Sequence, residues 1–303
     1  MPWGGDTERL IHPQGHLRTA LLERPASSAR GTVFVLQGRG EFLEKYRETA
    51  AWLHDQGFSV IGLDWRGQGG SARIIEGSGR GHVDDFAHYL DDLDRLAARA
   101  EALRLPRPWQ FLGHSLGGHL ALRWIGERDG PVDRLVLVTP MLGLQFRPLP
   151  DRLARALVRS AMALGMAERY APGQRDPGPQ VCRFEGNRLT SCPERFAAWR
   201  ELTTAHSELT IGGVTWGWLD AALRSIDLTR RPELLARVRA PTLLLLAEGE
   251  GVVSNAAIEE FATRLPRAEL FRLPDALHDL LWERRATIAA VRRAITAHLL
   301  ATG

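Results

Sequence analysis

The chain has 303 residues, 44% hydrophobic and 25% charged, and its 39 basic and 36 acidic side chains leave a formal net charge of +3. So small a charge, spread along the sequence, excludes the clustered basic face of a nucleic-acid binder, and no apolar run approaches the ~20 residues needed to cross a bilayer. Two cysteines, Cys182 and Cys192, are too few for a disulfide framework.

Two free thiols in a reducing cytoplasm are therefore expected, with a single Cys182–Cys192 bridge as the alternative. The opening Met1-Pro-Trp-Gly-Gly-Asp-Thr-Glu-Arg9 has no basic stretch followed by an apolar core, so no cleaved secretory signal is expected. The cations are almost all arginine, and Lys45 is the only lysine.

In chain order, residues 16–23 alternate as an early edge strand, and 31–37 (GTVFVLQ) form a nearly continuous apolar strand of the kind buried inside a parallel sheet. Residues 44–56 read as a helix ended by Gly57, and 58–63 (FSVIGL) as the next buried strand. A long amphipathic helix over 83–103 follows, then a strand at 109–113, a helix at 120–128 and a strand at 134–138 (RLVLV). Short apolar strands alternating with helices predict an α/β fold with a parallel sheet covered on both faces. From residue 141 to 238 no such strand occurs; helical stretches, aromatics and a Pro/Gly cluster replace the pattern. It resumes with strands at 240–247 and 268–273 and a closing helix at 286–300. The expected organisation is a core formed by 1–140 and 239–303, interrupted by a mainly helical cap at 141–238.

The sharpest motif is Gly113-His-Ser115-Leu-Gly117-Gly118, placed between the 109–113 strand and the helix after it. This is a G-x-S-x-G nucleophile elbow, in which a serine at the apex of a tight turn projects from the sheet edge above the first helical amides. A serine nucleophile needs a base, an acid to orient the base, and donors for an oxyanion. His278, in the loop after the last strand, is the base; His114 adjoins the serine, but neighbours on a sharp turn diverge. The chain order serine, acid, histidine places the acid after the 240–247 strand, where Glu250 is the first choice and Glu248 its rival. The amides of Leu116 and of Arg39, in the glycine turn after the 31–37 strand, are the expected oxyanion donors.

Together with Gln37-Gly-Arg-Gly-Glu-Phe-Leu-Glu-Lys-Tyr46, Asp64-Trp-Arg-Gly-Gln-Gly-Gly-Ser71 and Leu277-His278, the elbow resembles the α/β-hydrolase superfamily, in its lysophospholipase L2 and monoacylglycerol lipase branch. Cap segments Phe184-Glu-Gly-Asn-Arg-Leu-Thr-Ser191 and Gly212-Gly-Val-Thr-Trp-Gly-Trp218 are similar to bacterial members of that branch. The resemblance implies an eight-stranded, mostly parallel sheet, no metal or organic cofactor, and hydrolysis of an acyl ester through an acyl-enzyme. Three positions depart from the pattern: Gln37 stands for the usual histidine, Glu250 for the usual aspartate, and Val253-Ser254 for Val-Asp.

The expected substrates are lysophospholipids or monoacylglycerols, acted on in the cytoplasm or at the face of the inner membrane. Phe184, Trp216 and Trp218, with Phe196 and Trp199, are candidates to line an acyl pocket, although aromatics also simply pack small helical caps. The Arg39 guanidinium suits a lysophospholipid phosphate, although such an arginine more often pairs with a local carboxylate; Asp64 reads as a turn-structuring residue. A small-ester carboxylesterase or an acyltransferase on the same triad, and a non-catalytic binding protein of the same fold, are the alternatives.

Overall fold

The structure is a computed structural model that describes residue 3 and residues 5–146, 148–177 and 183–301. Eight strands form one sheet: β1 (Asp6–His12), β2 (Gly15–Leu22), β3 (Thr32–Leu36), β4 (Ser59–Leu63), β5 (Trp109–His114), β6 (Arg134–Val138), β7 (Thr242–Ala247) and β8 (Ala268–Leu273). Their spatial order is β1-β2-β4-β3-β5-β6-β7-β8. The β1–β2 and β2–β4 pairs are antiparallel, and every later pair is parallel. The eight-stranded, mostly parallel α/β-hydrolase sheet implied by the resemblance is therefore present.

Alternation along the buried strands divides the core. Val33 and Val35 of β3 and Leu243 and Leu245 of β7 face one layer, whereas Phe34, Leu36, Leu244 and Leu246 face the other. The first layer is covered by α1 (Arg47–Asp55) and α9 (Arg285–Leu300), the second by α2 (Ala87–Ala102), α3 (Leu116–Arg128) and α8 (Asn255–Arg264). Four helices, α4 (Asp151–Ala163), α5 (Pro193–Ala205), α6 (Trp216–Thr229) and α7 (Pro232–Arg237), lie between β6 and β7.

Several elements differ from the sequence reading; the helix read at 44–56, for one, is a 3-10 turn (Leu43–Tyr46) followed by α1 from Arg47. β1 lies outside the strands read from the sequence: it is a charged edge strand (DTERLIH) with mostly exposed or half-buried positions and one neighbour. α2 begins at Ala87 rather than 83, where the Asp85 carboxylate accepts the Ala87 amide at 2.8 Å. α3 begins at Leu116, directly after the serine, rather than at 120. Cys192 is a free thiol, and Cys182 lies outside the described residues. No helix among the described residues is long and apolar enough to cross a membrane.

Candidate active site

Ser115 sits where β5 gives way to α3, at φ 50° and ψ −111°, a strained conformation for a residue with a side chain. Backbone contact from every side fixes it. Its amide donates to Val138 O at 3.0 Å, and its carbonyl accepts the His119 and Met141 amides. The turn is so tight that a Cβ on Gly117 would lie 2.1 Å from the Leu36 carbonyl oxygen of β3. Glycine is required there by close approach of two backbones.

His278 lies beyond β8, 4% exposed. Its Nδ1 is 2.7 Å from Glu250 Oε2, and the Glu250 side chain is fully buried. The other oxygen, Oε1, accepts the Val252 and Val253 amides at 2.5 and 3.1 Å. The longer glutamate side chain is thus folded back onto its own loop with one oxygen left for the imidazole. Burial pushes the Glu250 carboxyl up, but the His278 bond and the two amides outweigh it and hold the group below the usual glutamate range. Glu248 is exposed and makes no such bond. Ser254, in place of aspartate, caps α8 by accepting the Ala257 amide on Oγ.

The sheet brings His278 to the serine's end of β5. Thr139, directly after β6, donates through Oγ1 to the His278 carbonyl at 2.7 Å, and the His114 and His278 rings lie 5.0 Å apart. With Nδ1 committed to Glu250, the imidazole has Nε2 left for a hydroxyl.

In the loop after β3, the Gly38 amide donates to Glu41 Oε2 at 2.6 Å and the Gly40 amide to Gln68 Oε1 at 2.7 Å. The Arg39 amide between them has no acceptor among the described residues. Its guanidinium donates to Gly212 O at 2.6 Å and lies over the Trp218 ring. Asp64 is a structural hub, accepting from Arg18, Gln37, the Leu43 amide and the Gly70 amide. Gln37, in the usual histidine position, donates to Asp64 and to Leu63 O, tying the β3 and β4 loops together.

His114, next to the serine in the chain, belongs to a group that sequence reasoning missed: Glu41, Lys45, Tyr46, His114 and Asp279, all buried. Lys45 Nζ donates to both Glu41 and Asp279, and Tyr46 donates to Glu41 Oε2 at 2.6 Å. Burial pushes the Glu41 carboxyl up, yet Lys45 and His114 hold it well below its usual range. The only lysine of an arginine-rich chain, four residues after Glu41, was the available signal.

The aromatics of the helical segment between β6 and β7 fall on two sides. Phe184 packs edge-on against Phe196 at 5.6 Å, in a stretch whose Arg188 and Leu189 carbonyls accept the His278 and Asp279 amides. Trp218 is 3% exposed against Phe86 and Arg39, and half-buried Trp216 opens the same helix, α6.

Residues 27–285 match the family described as serine aminopeptidase, S33. The probable lysophospholipase L2 of Haemophilus influenzae is 31% identical over 264 residues, covering 87% of this chain and 82% of that protein. Lysophospholipase L2 of Escherichia coli (strain K12) is 30% identical over 277 residues, covering 87% of this chain and 78% of that protein. A soluble variant of the Saccharomyces cerevisiae monoglyceride lipase superposes with a TM-score of 0.76 at 15% identity, over 98% of this chain and 95% of that one. The fold and the coverage agree: the chain belongs to the serine aminopeptidase S33 family of α/β-hydrolases, in the branch that includes lysophospholipase L2.

Proposed function

We propose that this protein is a serine hydrolase that cleaves carboxylic esters of lipids, with lysophospholipids as its substrate class. The observation that carries this reading is the Glu250–His278 bond of 2.7 Å, on a loop whose His278 ring lies 5.0 Å from the ring of His114, the residue before the strained Ser115. Ser115 Oγ attacks the ester carbonyl while His278 Nε2 takes its proton; Glu250 orients the ring and stabilises the imidazolium. The Leu116 and Arg39 amides hold the oxyanion, each such donor contributing about 3 kcal/mol to lowering the barrier. His278 returns the proton to the leaving alkoxide, then activates the water that releases the acid. A peptide bond would run on the same groups; the L2 relatives, alike over 87% of this chain, favour the ester.

A specific observation favours a phosphate head group over glycerol alone. Arg39 has no carboxylate partner among the described residues, and its Nε is buried without an acceptor. Burial lowers it to about 10, so it stays cationic at neutral pH. In this reading residues 141–238 are the cap, Trp216 and Trp218 stand on the head-group side, and Phe184 contacts the acyl chain on the His278 side. The cap also supplies a face for peripheral contact with a lipid surface. On α4, Ala154, Val158 and Ala161 are buried, whereas Leu153 and Leu157 are 54% and 51% exposed, with exposed Arg152 and Arg159 beside them.

The test is a panel of p-nitrophenyl esters, a monoacylglycerol and a lysophosphatidyl lipid, with Ser115→Ala as control. Ser115-dependent release from the long-chain lipids is expected; release from short esters alone retires the lipid reading, and turnover by Ser115→Ala removes the triad. Arg39→Gln keeps the backbone donor. It should lose roughly ten- to a hundredfold in kcat/KM on the lysophospholipid, as for a lost charged hydrogen bond, and less than about threefold on the monoacylglycerol.

A further inference from the structure

Glu41, His114 and Asp279 bring three ligating atoms within 4.8 Å of one another, the arrangement of a cation site. Here the cation is covalent. Lys45 Nζ donates to both carboxylates, and the ring of Trp199 on α5 lies 5.0 Å from it. Burying an ammonium and two carboxylates costs several kcal/mol per ion, and apolar side chains of similar volume would serve stability as well or better. What the cluster adds is a connection.

Glu41 holds the Gly38 amide, next to the Arg39 donor, and faces His114 Nδ1 at 3.1 Å; His114 precedes Ser115. Asp279 follows His278, and its only side-chain bond among the described residues is to Lys45, because Oδ1 is buried without a partner. The oxyanion loop and the loop of the base therefore meet at a single ammonium, and the nucleophile's strand joins them through the His114–Glu41 contact. Resting on the hydrolase reading above, we propose that Lys45 is a positioning residue for the reaction: it pins the oxyanion loop, through Glu41, to the loop carrying His278, through Asp279. A displacement of about 1 Å at a catalytic group costs on the order of a hundredfold in rate.

The experiment uses the full chain and a soluble p-nitrophenyl ester. Wild-type turnover that Ser115→Ala abolishes first secures the hydrolase reading independently. Lys45→Met should then lower kcat ten- to a hundredfold with KM within about threefold, and Lys45→Arg should recover most of the loss. Lys45→Met also leaves two buried carboxylates facing each other and should melt earlier. Lys45→Met/Asp279→Asn removes one of those charges and should regain melting temperature while kcat stays low. A kcat for Lys45→Met within threefold of wild type would overturn the proposal. So would a double variant that regains kcat along with its melting temperature, since Lys45 would then serve stability alone.

Discussion

Around the serine, backbone is packed on backbone; in the helical segment between β6 and β7, side chains are packed on side chains and solvent. Gly117 abuts the Leu36 carbonyl, and β3 and β5 are buried along their whole length. In the helical segment, Leu149, Leu153, Leu157 and Leu164 are all exposed, and Gly165 has nothing within 4 Å of where a Cβ would stand. Steric exclusion leaves the first region one arrangement. The second is held by amphipathic stripes that many sequences would supply, and is free to vary toward a substrate or a surface.

One substitution made in both regions breaks or upholds that contrast. Gly117→Ala places a methyl 2.1 Å from a β3 backbone oxygen that cannot rotate away. It should cost about 3 kcal/mol or more and abolish turnover even in the fraction that folds. Gly165→Ala meets no atom and pays only for φ +70°, about 1–2 kcal/mol, with turnover retained. Thermal melts and kcat on a soluble ester measure both; equal losses would show that the turn at Ser115 is no more constrained than the helical segment.

Glu250→Gln sharpens the comparison within the site. The amide keeps the reach but loses the charge behind His278, and kcat should fall about 10³- to 10⁴-fold. Stability should respond to pH. Because the native carboxyl lies below its ordinary value, its contribution is complete above the unfolded value of 4.5 and is lost as pH falls through the lower folded value. The melting-temperature gap between wild type and Glu250→Gln should therefore be widest near neutral pH and close in acid. A gap independent of pH would place the Glu250 charge outside the stability of the loop.

The same contrast decides what the sequence could tell. The tight turn at Ser115 and the contact of Glu250 with His278 were legible because each follows from local chemistry: glycines where no Cβ fits, and polar residues just past apolar strands. β1 was not legible, since its charged residues pair with one neighbour and leave no alternation to read. The Lys45 network was hidden for another reason. Lys45 and Asp279 are 234 residues apart, and only the assembled fold brings them together. Likewise, nothing in the sequence says that Gln37 replaces a histidine by bonding across to Asp64. Long-range polar pairings have no periodicity, so their partners appear only in three dimensions.

The smallest effect on stability is expected on α4. Leu153→Ser/Leu157→Ser changes two half-exposed positions opposite the buried Ala154, Val158 and Ala161 stripe, so unfolding free energy should move by less than about 0.5 kcal/mol per site. Hydrolysis of a soluble ester should be unchanged. Partition onto anionic vesicles is a different quantity. Burying the exposed half of each leucine is worth about 1 kcal/mol, so the double variant should bind vesicles roughly thirtyfold more weakly, with turnover of vesicle-borne substrate falling in step. Cosedimentation with vesicles measures the first and lipid hydrolysis the second. If binding is unaffected while the leucines are gone, the exposed stripe serves something other than a lipid surface, and the helical segment's freedom to vary has been used elsewhere.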